Sequence, residues 1–389
     1  MHVPLHRTLP AIVLLAFFAA GAIDGLVRSA TKAGPPIPWK DGFAEEERNV
    51  LVGVNGLLHR LMCRRLVSRS KNIDIVLLDN GQLALGSVAR TNAERRKGIG
   101  DIKRRLSFVR DELAKSQIPL IFVLCPSKVP PGGVGLPPGL EDDDNLLGDL
   151  LVKTLRKVGI DCLDLRERIA AEKLDHASLF FRTDHHWTPS AGLWAANEVA
   201  AYLHDHYGMG FDPELTAPKR YRTYRMSDAV LGSYGRRVGP WYVGCDTFDA
   251  LLPVFSTDFE LDVPSIKYHI KGPFSRSLIR NLNKRYAFWN DDPYGRYLPG
   301  KSGFARLVNR KRGNGKTLCV IKDSFASVLL PHLAIQYGKL VMLDPRMDPN
   351  IPLFSIIKKE NVDALVYILN PNSLIRRKNG FFGRQMLRH

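Results

Sequence analysis

One segment of the chain places a serine where acyl-transfer chemistry could occur. Lys322-Asp323-Ser324-Phe325-Ala326 directly follows an apolar run, Leu318 to Ile321, and precedes a stretch with helical character. A turn from strand to helix exposes the Ser324 hydroxyl, and the first N–H groups of a helix can stabilise an oxyanion. The competing interpretation is that Asp323 or Ser324 only caps the helix.

A second segment, Asp184-His185-His186-Trp187, supplies the groups that such a serine needs. A histidine takes the hydroxyl proton, and a carboxylate fixes the tautomer of that histidine. Thr188-Pro189 predicts a helix start, which keeps residues 184–187 out of the helix. On an extended or turn backbone, side chains two residues apart can approach one point. Adjacent histidines and an aspartate could instead bind zinc, but that interpretation needs a third ligand at a suitable spacing.

The elements around these segments predict an α/β fold. Apolar runs typical of buried strands occur at Ile73–Leu78, Pro119–Cys125, Ile160–Leu163, Thr317–Ile321, Lys339–Leu343 and Ala364–Leu369. Helical stretches are predicted at 49–68, 94–116, 146–157, 166–173, 189–204, 325–337 and 352–361. Strands alternating with helices indicate a parallel sheet with helices on both faces, whose carboxyl edge binds ligands.

Residues 209–313 interrupt this alternation, and we predict a β-rich insertion there. The α/β domain would then comprise 49–208 and 314–375. Within the insertion, Gly232-Ser233-Tyr234-Gly235-Arg236-Arg237 is a glycine-rich turn that presents two arginines to a carboxylate or to sugar hydroxyls. We therefore predict Tyr234, Arg236 and Arg237 as substrate-binding residues. Lys128, after the strand ending at Cys125, is predicted to contact substrate from the same edge.

Three strings of the sequence resemble a known group of proteins. They are TDHHWTPSAG around the DHHW segment, GSYGRRVG at 232–239, and VIKDSFASVLLPHLAIQYGKLVMLDPR at 320–346. They resemble the DHHW family and the SGNH-hydrolase-like domains of alginate-type O-acetyltransferases, over about residues 70–370. The resemblance implies a flavodoxin-like SGNH fold in which Ser324 is the nucleophile, His186 the general base and Asp184 its carboxylate, with His185 supporting them.

The chain departs from the SGNH pattern at the serine. Lys322 stands where a GDS block has glycine. The glycine and asparagine that add oxyanion donors in many SGNH enzymes have three candidates here, Gly232, Gly295 and Asn370. We include Asn370 among the predicted substrate-binding residues.

The N-terminus predicts export. Leu9 to Ile23 is an apolar run of about 15 residues, short for a bilayer span, and Ala20-Gly21-Ala22 fits a signal-peptidase site. We expect a signal peptide or signal anchor at 1–28, a linker at 29–48 and a basic tail at 376–389. An uncleaved segment would anchor the protein to the membrane, with its body periplasmic or extracellular. A buried N-terminal helix is the alternative.

The net charge is +17, with 56 Lys and Arg against 39 Asp and Glu. Such a charge attracts anionic partners, although a solvated basic surface is an equal explanation. The sequence lacks zinc-finger spacing, the aromatic motif of ribonucleoprotein domains and long blocks of basic residues. Among anionic partners, nucleic acid therefore has the least support.

Together these features predict an exported serine-dependent O-acetyltransferase that acts on an acidic or neutral polysaccharide. A membrane protein would donate the acyl group, and we predict neither a cofactor nor a metal. One alternative is an esterase or deacetylase with the same three residues. The other is a non-catalytic polysaccharide-binding protein, which the charge and the aromatic residues of the insertion would favour (Trp241, Tyr242, Trp289, Tyr294, Tyr297).

Overall fold

The computed structural model describes residues 45–70, 73–87, 91–282, 292–298, 302–311 and 313–375. The predicted signal segment, the basic tail and residues 29–44 of the linker lie outside them. Two compact units are distinguished, Met1–Val52 and Gly53–His389. The first is described only at residues 45–52, which are helical. Within the described ranges, no helix has the length and hydropathy needed to cross a bilayer.

The described ranges contain the following α-helices and β-strands. The helices are α1 Glu45–Leu61, α2 Asn92–Ala114, α3 Asp143–Lys157, α4 Leu165–Ala171, α5 Pro189–Tyr207, α6 Gly235–Val238, α7 Pro240–Val243, α8 Phe274–Ser277, α9 Leu330–Gln336, α10 Leu353–Glu360 and α11 Pro371–Ile375. The strands are β1 Leu66–Ser70, β2 Ile73–Leu77, β3 Leu83–Ser87, β4 Leu120–Leu124, β5 Asp161–Asp164, β6 Tyr221–Val230, β7 Asp246–Pro253, β8 Phe259–Val263, β9 Tyr268–Gly272, β10 Phe304–Asn309, β11 Thr317–Lys322, β12 Lys339–Leu343 and β13 Ala364–Leu369.

The main sheet has eight strands in the order β5-β4-β13-β11-β12-β10-β8-β9. Neighbours from β5 to β12 pair in parallel, whereas β10, β8 and β9 pair antiparallel. The predicted parallel sheet is therefore confirmed. The region predicted as an insertion also completes this sheet, because it supplies its last three strands. Two smaller antiparallel sheets, β1-β2-β3 and β6-β7, accompany it.

Alternate side chains of one strand enter two separate cores. Ile121 and Val123 of β4 pack into the core beneath α5 and α9, while Phe122 and Leu124 pack into the core beneath α2, α3 and α10. A strand buried on both faces reads as a continuous apolar run, which explains why the sequence pattern locates β4, β11, β12 and β13 well.

One buried histidine gives the fold a dependence on pH. His332 of α9 is fully buried between the rings of Tyr221 and Phe274, with ring centroids 5.2 and 5.4 Å away. Neither of its ring nitrogens has a hydrogen-bond partner among the described residues. Burial lowers the pKa of His332 to about 3.

We expect His332→Leu to flatten the acid side of the stability profile. The unfolded chain binds a proton at His332 near pH 6.5, but the folded chain does not until about pH 3. This contribution to stability is therefore complete above pH 6.5 and falls by about 1.4 kcal/mol per pH unit below it. Urea unfolding followed by circular dichroism at pH 7.5 and pH 5 measures the slope. His206→Gln, an exposed site, should keep the wild-type slope, and an unchanged slope in His332→Leu would contradict the account.

Candidate active site

Three neighbouring parallel strands bring the predicted residues to one edge of the sheet. Ser324 follows β11, Asn370 follows β13 and Lys128 follows β4. The register pairs Lys322 with Ile368, and Leu369 with Leu124, so the three strands end at the same level. This is the carboxyl edge at which α/β sheets bind ligands.

Asp323 fixes the loop that carries Ser324. Its buried carboxylate accepts hydrogen bonds from Phe325 N at 2.8 Å, Asn370 N at 2.8 Å and Ser373 Oγ at 2.7 Å. These contacts join the ends of β11 and β13. The competing interpretation of this aspartate as a cap is therefore partly right, since it satisfies a backbone N–H of the turn.

The expected helix after Ser324 is not a single helix. Phe325–Ser327 forms one 3-10 turn, and α9 starts only at Leu330. The N–H of Phe325 is also bound to Asp323, so it is not available to an oxyanion. The backbone N–H of Ser324 has no partner in the part of the chain that the structure describes, and it is the donor that remains at the serine itself.

The DHHW segment forms the expected carboxylate–imidazole pair. Phe180 and Trp187 pair as an isolated bridge, which turns the segment back on itself. Asp184 Oδ1 lies 2.7 Å from His186 Nδ1 and accepts the His186 backbone N–H at 2.9 Å. The other oxygen, Oδ2, accepts Ser233 N at 2.6 Å. The GSYGRRVG turn thus holds the carboxylate that orients the imidazole.

The electrostatics of this pair fix the tautomer of His186. Burial alone would raise the pKa of Asp184, but His185 and His186 hold it well below its usual value. An ionised carboxylate only accepts hydrogen bonds, so His186 Nδ1 carries the proton. Burial and then the charge of His185 lower the pKa of His186, while Asp184 opposes them. The imidazole is therefore neutral near pH 7, with a lone pair on Nε2.

The two chain-distant segments meet in the structure. Trp187 Nε1 donates to Phe325 O at 2.8 Å, and the rings of His186 and Phe325 lie 5.5 Å apart. His186 Nε2 is buried and has no hydrogen-bond partner among the described residues, so Ser324 Oγ is not bonded to it in this structure. Catalytic hydrogen bonds are often longer in ligand-free enzymes and tighten with substrate.

A pocket of about 330 Å³ opens over Ser324. Three of the residues predicted to bind substrate, Tyr234, Arg237 and Asn370, line this pocket, while Arg236 does not. Arg236 instead donates from Nε to Leu231 O at 2.8 Å and supports the turn. Gly295 also lies outside this lining. The pocket wall also contains His185, to which the resemblance gives a supporting role, and residues that the sequence did not single out, including Ser233 and Arg346.

Lys128, predicted to contact substrate, is bound to three carbonyls of the DHHW loop. Its Nζ lies 2.5 Å from Phe181 O, 2.9 Å from Arg182 O and 2.6 Å from Asp184 O. An ammonium has three N–H groups, and these three carbonyls accept all of them. Lys128 also lines the pocket, and its Nζ joins the DHHW loop to the end of β4. Burial lowers its pKa to about 7.

The donor atoms of Asp184, His185 and His186 lie within 4.8 Å of one another, which raises the question of a metal. Both carboxylate oxygens already accept hydrogen bonds from the loop and from Ser233. His185 Nδ1 is 2.8 Å from Ser233 Oγ. A metal would have to break these contacts, so this donor set fits a hydrogen-bonded carboxylate–histidine pair better.

Gly232 fits against Asp184 only because it lacks a side chain. A Cβ added there would lie 2.6 Å from Asp184 Cα and 2.5 Å from its Oδ2. Its N–H donates to Thr183 Oγ1 at 2.9 Å. That N–H is therefore not free to stabilise an oxyanion, the role for which Gly232 was a candidate.

We expect Gly232→Ala to displace Asp184 and to lower the rate of any reaction that depends on the Asp184–His186 pair about tenfold or more. Overpacking of this kind also costs about 1–3 kcal/mol of stability. Gly100→Ala is the matched control, because nothing lies within 4 Å of a Cβ at that position in α2. The control should be as active as wild type and slightly more stable. Steady-state kinetics and thermal unfolding of both variants check this, and full activity of Gly232→Ala would contradict the packing argument.

The aromatic residues of the insertion are mostly internal. Tyr242, Tyr294 and Tyr297 are 5%, 4% and 1% exposed, so they are not platforms for sugar rings. Trp241 is 46% exposed, and Trp289 lies outside the described residues. Tyr294 stacks on His186, a contact that no local sequence pattern indicates, because the residue lies about a hundred positions further along the chain.

The chain is similar to proteins of known family and structure. Residues 83–232 match the family model described as SGNH hydrolase-like domain, acetyltransferase AlgX. No curated protein sequence matches the chain. Bacillus cereus PatB1 with a sulfonyl adduct is 16% identical, with a TM-score of 0.61 over 78% of this chain and 96% of that chain.

Two further solved structures are similar at low identity. A DHHW family protein from Eubacterium siraeum is 13% identical, with a TM-score of 0.58 over 80% of this chain and 95% of that one. The O-acetyltransferase domain of Pseudomonas putida AlgJ is 15% identical, with a TM-score of 0.44 over 78% and 93%. The resemblance predicted from the sequence is confirmed, and the chain carries an SGNH hydrolase-like domain similar to that of the acetyltransferase AlgX.

Proposed function

We propose that this protein is an exported serine O-acetyltransferase that acts on a polysaccharide. The observation that carries the proposal is that Ser324 lines a pocket next to a loop in which Asp184 orients His186, the two loops being joined by the Trp187–Phe325 hydrogen bond. The proposed base has a neutral imidazole with an unpaired Nε2, and Ser324 lines the pocket. The match to an acetyltransferase domain model supports acyl transfer as the chemistry.

The reaction proceeds in two steps. Ser324 Oγ attacks the carbonyl carbon of an acetyl donor, His186 Nε2 takes the hydroxyl proton, and the donor's leaving group departs with that proton. A sugar hydroxyl then attacks the acetyl-serine while His186 takes its proton. Collapse of this second intermediate gives an acetylated sugar and returns the proton to Ser324 Oγ. In this proposal the N–H of Ser324 stabilises the oxyanion in both steps.

The pocket also supports an acidic acceptor. Arg237 lines it and has no carboxylate partner within the described ranges. A guanidinium binds a carboxylate through two parallel hydrogen bonds, which would orient an acidic sugar over Ser324. The N-terminal apolar segment is the basis for proposing export. An exported enzyme would meet its acceptor outside the cytoplasm, and for that reason we propose a membrane-bound acetyl donor.

The test is acetyl transfer by the purified full-length chain. A chromogenic acetyl ester is supplied with acidic and with neutral oligosaccharides, and mass spectrometry follows the sugars. An acetylated sugar supports the proposal, whereas release of acetate alone with every acceptor would make the protein an esterase. Glycan binding without turnover would make it a binding protein. A sulfonyl fluoride should label the Ser324 peptide, as the adduct on PatB1 suggests, and labelling should persist in Ser327→Ala.

A further inference from the structure

Tyr294 contacts the proposed base and the proposed nucleophile at the same time. Its ring stacks on the imidazole of His186, with centroids 4.0 Å apart and planes 14° apart. Its hydroxyl lies 2.9 Å from Ser324 O and 3.1 Å from Phe325 O, and donates its single proton to this pair of carbonyls. The side chain is 4% exposed, so both contacts are made without competing water.

We infer that Tyr294 is a positioning residue that sets the distance and angle between His186 and Ser324. The inference rests on the proposed acyl-transfer function. Ser324 and His186 lie on loops from opposite ends of the domain sequence, and Trp187 provides the one other hydrogen bond described between them. A ring fixed against the imidazole and tied to the serine's own carbonyl restrains the pair in the plane that proton transfer requires.

The two contacts of Tyr294 are separable by mutation. Tyr294→Phe keeps the ring but removes the hydroxyl, while Tyr294→Ala removes both. The fold should tolerate the first change, because Ser324 O still accepts the N–H of Ser327, and Phe325 O still accepts Trp187 Nε1. Alanine would open one face of the buried imidazole to water.

The ring also acts on the protonation of His186, because it excludes water from the imidazole face. The ionisable groups that act on His186 are Asp184 and His185 of its own loop and Asp292 of the Tyr294 segment. Neither variant changes any of these. A shift of the acid limb of the pH–rate profile in Tyr294→Ala, but not in Tyr294→Phe, therefore reports the effect of the ring on the pKa of His186, apart from the effect of the hydroxyl on kcat.

The experiment compares kinetics and histidine titration in four proteins. We expect Tyr294→Phe to lower kcat about tenfold, with KM and the acid limb unchanged, as the loss of one hydrogen bond implies. We expect Tyr294→Ala to lower kcat about a hundredfold and to raise the pKa of His186 towards its usual value. Tyr297→Phe is the control, because Tyr297 lies in the same short segment as Tyr294. Its hydroxyl accepts a hydrogen bond from Leu251 N at 3.2 Å. It should keep the wild-type kcat.

Several results would overturn the inference. Wild-type kcat in Tyr294→Phe, or an equal loss in Tyr297→Phe, would reduce Tyr294 to a packing residue. If Tyr294→Ala does not fold, Tyr294→Phe decides. If wild type transfers no acetyl group at all, the proposed function fails. NMR titration of ¹³C-labelled histidine then still tests the stacking, because an unchanged pKa of His186 in folded Tyr294→Ala would reject it.

Discussion

Replacing Ser324 by alanine should lower kcat/KM for an acetyl ester about a thousandfold or more. Alanine removes the only group that the proposed mechanism acylates, while the neighbouring contacts remain. Asp323 still binds Phe325 N and Asn370 N, and Tyr294 still reaches the carbonyl of residue 324. Thermal unfolding should therefore stay close to that of wild type. Stopped assays of ester cleavage and of sugar acetylation, run on the same preparations, measure the loss.

Ser327→Ala is the matched control for this change. Ser327 lies one turn further along the chain, does not line the pocket, and its hydroxyl has no hydrogen bond within the described ranges. It should keep wild-type rates. Equal rates for Ser324→Ala and wild type would remove Ser324 as the nucleophile. Retention of sugar binding in Ser324→Ala, with loss of turnover, would separate catalysis from recognition.

The sequence located the sheet and the site edge because both depend on local patterns. β4, β11, β12 and β13 are continuous apolar runs, and their lengths fix where the following loops begin. The start of the helix after the DHHW loop was also predictable, since Thr188 and Pro189 favour a helix start and so keep the preceding residues out of the helix.

The segment after Ser324 was harder to predict because two local signals compete. Its apolar pattern from Phe325 to Tyr337 reads as one helix. Asp323 binds the N–H of Phe325, and Pro331 cannot donate to a preceding turn, so the regular helix starts only at Leu330. The predicted helix at 49–68 likewise ends early, at Leu61, and β1 begins at Leu66.

Contacts between distant parts of the chain explain the remaining differences. Pairing of β10 with both β8 and β12 places part of the insertion in the main sheet, and no short-range pattern specifies that pairing. The turn of the DHHW loop presents three carbonyls to Lys128, a contact that no local pattern indicates. Tyr294 reaches His186 for the same reason, because the insertion returns to the edge that carries the serine.

Replacing Asp184 by asparagine should lower the plateau of kcat about a thousandfold and move the acid limb to lower pH. The amide lacks the charge that stabilises an imidazolium, and it can present its NH₂ group to Nδ1, which would favour the wrong tautomer. Asp184 raises the pKa of His186 against the effect of burial, so its loss lowers that pKa further. The direction of the shift follows from the role of His186, which acts as a base only when it is neutral. A lower pKa keeps the imidazole neutral at lower pH, so the acid limb moves to lower pH.

Asp292→Asn tests whether charge alone explains that change. Asp292 is exposed and also raises the pKa of His186, but it makes no contact with Nδ1. Its variant should move the acid limb slightly to lower pH and leave the plateau intact. Rate profiles of kcat between pH 4 and pH 9 for both variants provide the measurement. If Asp184→Asn keeps the wild-type plateau, the carboxylate does not orient the base, and the hydrogen bond at 2.7 Å only stabilises the loop. A lowered plateau in both variants would instead assign the loss to the field of the two charges.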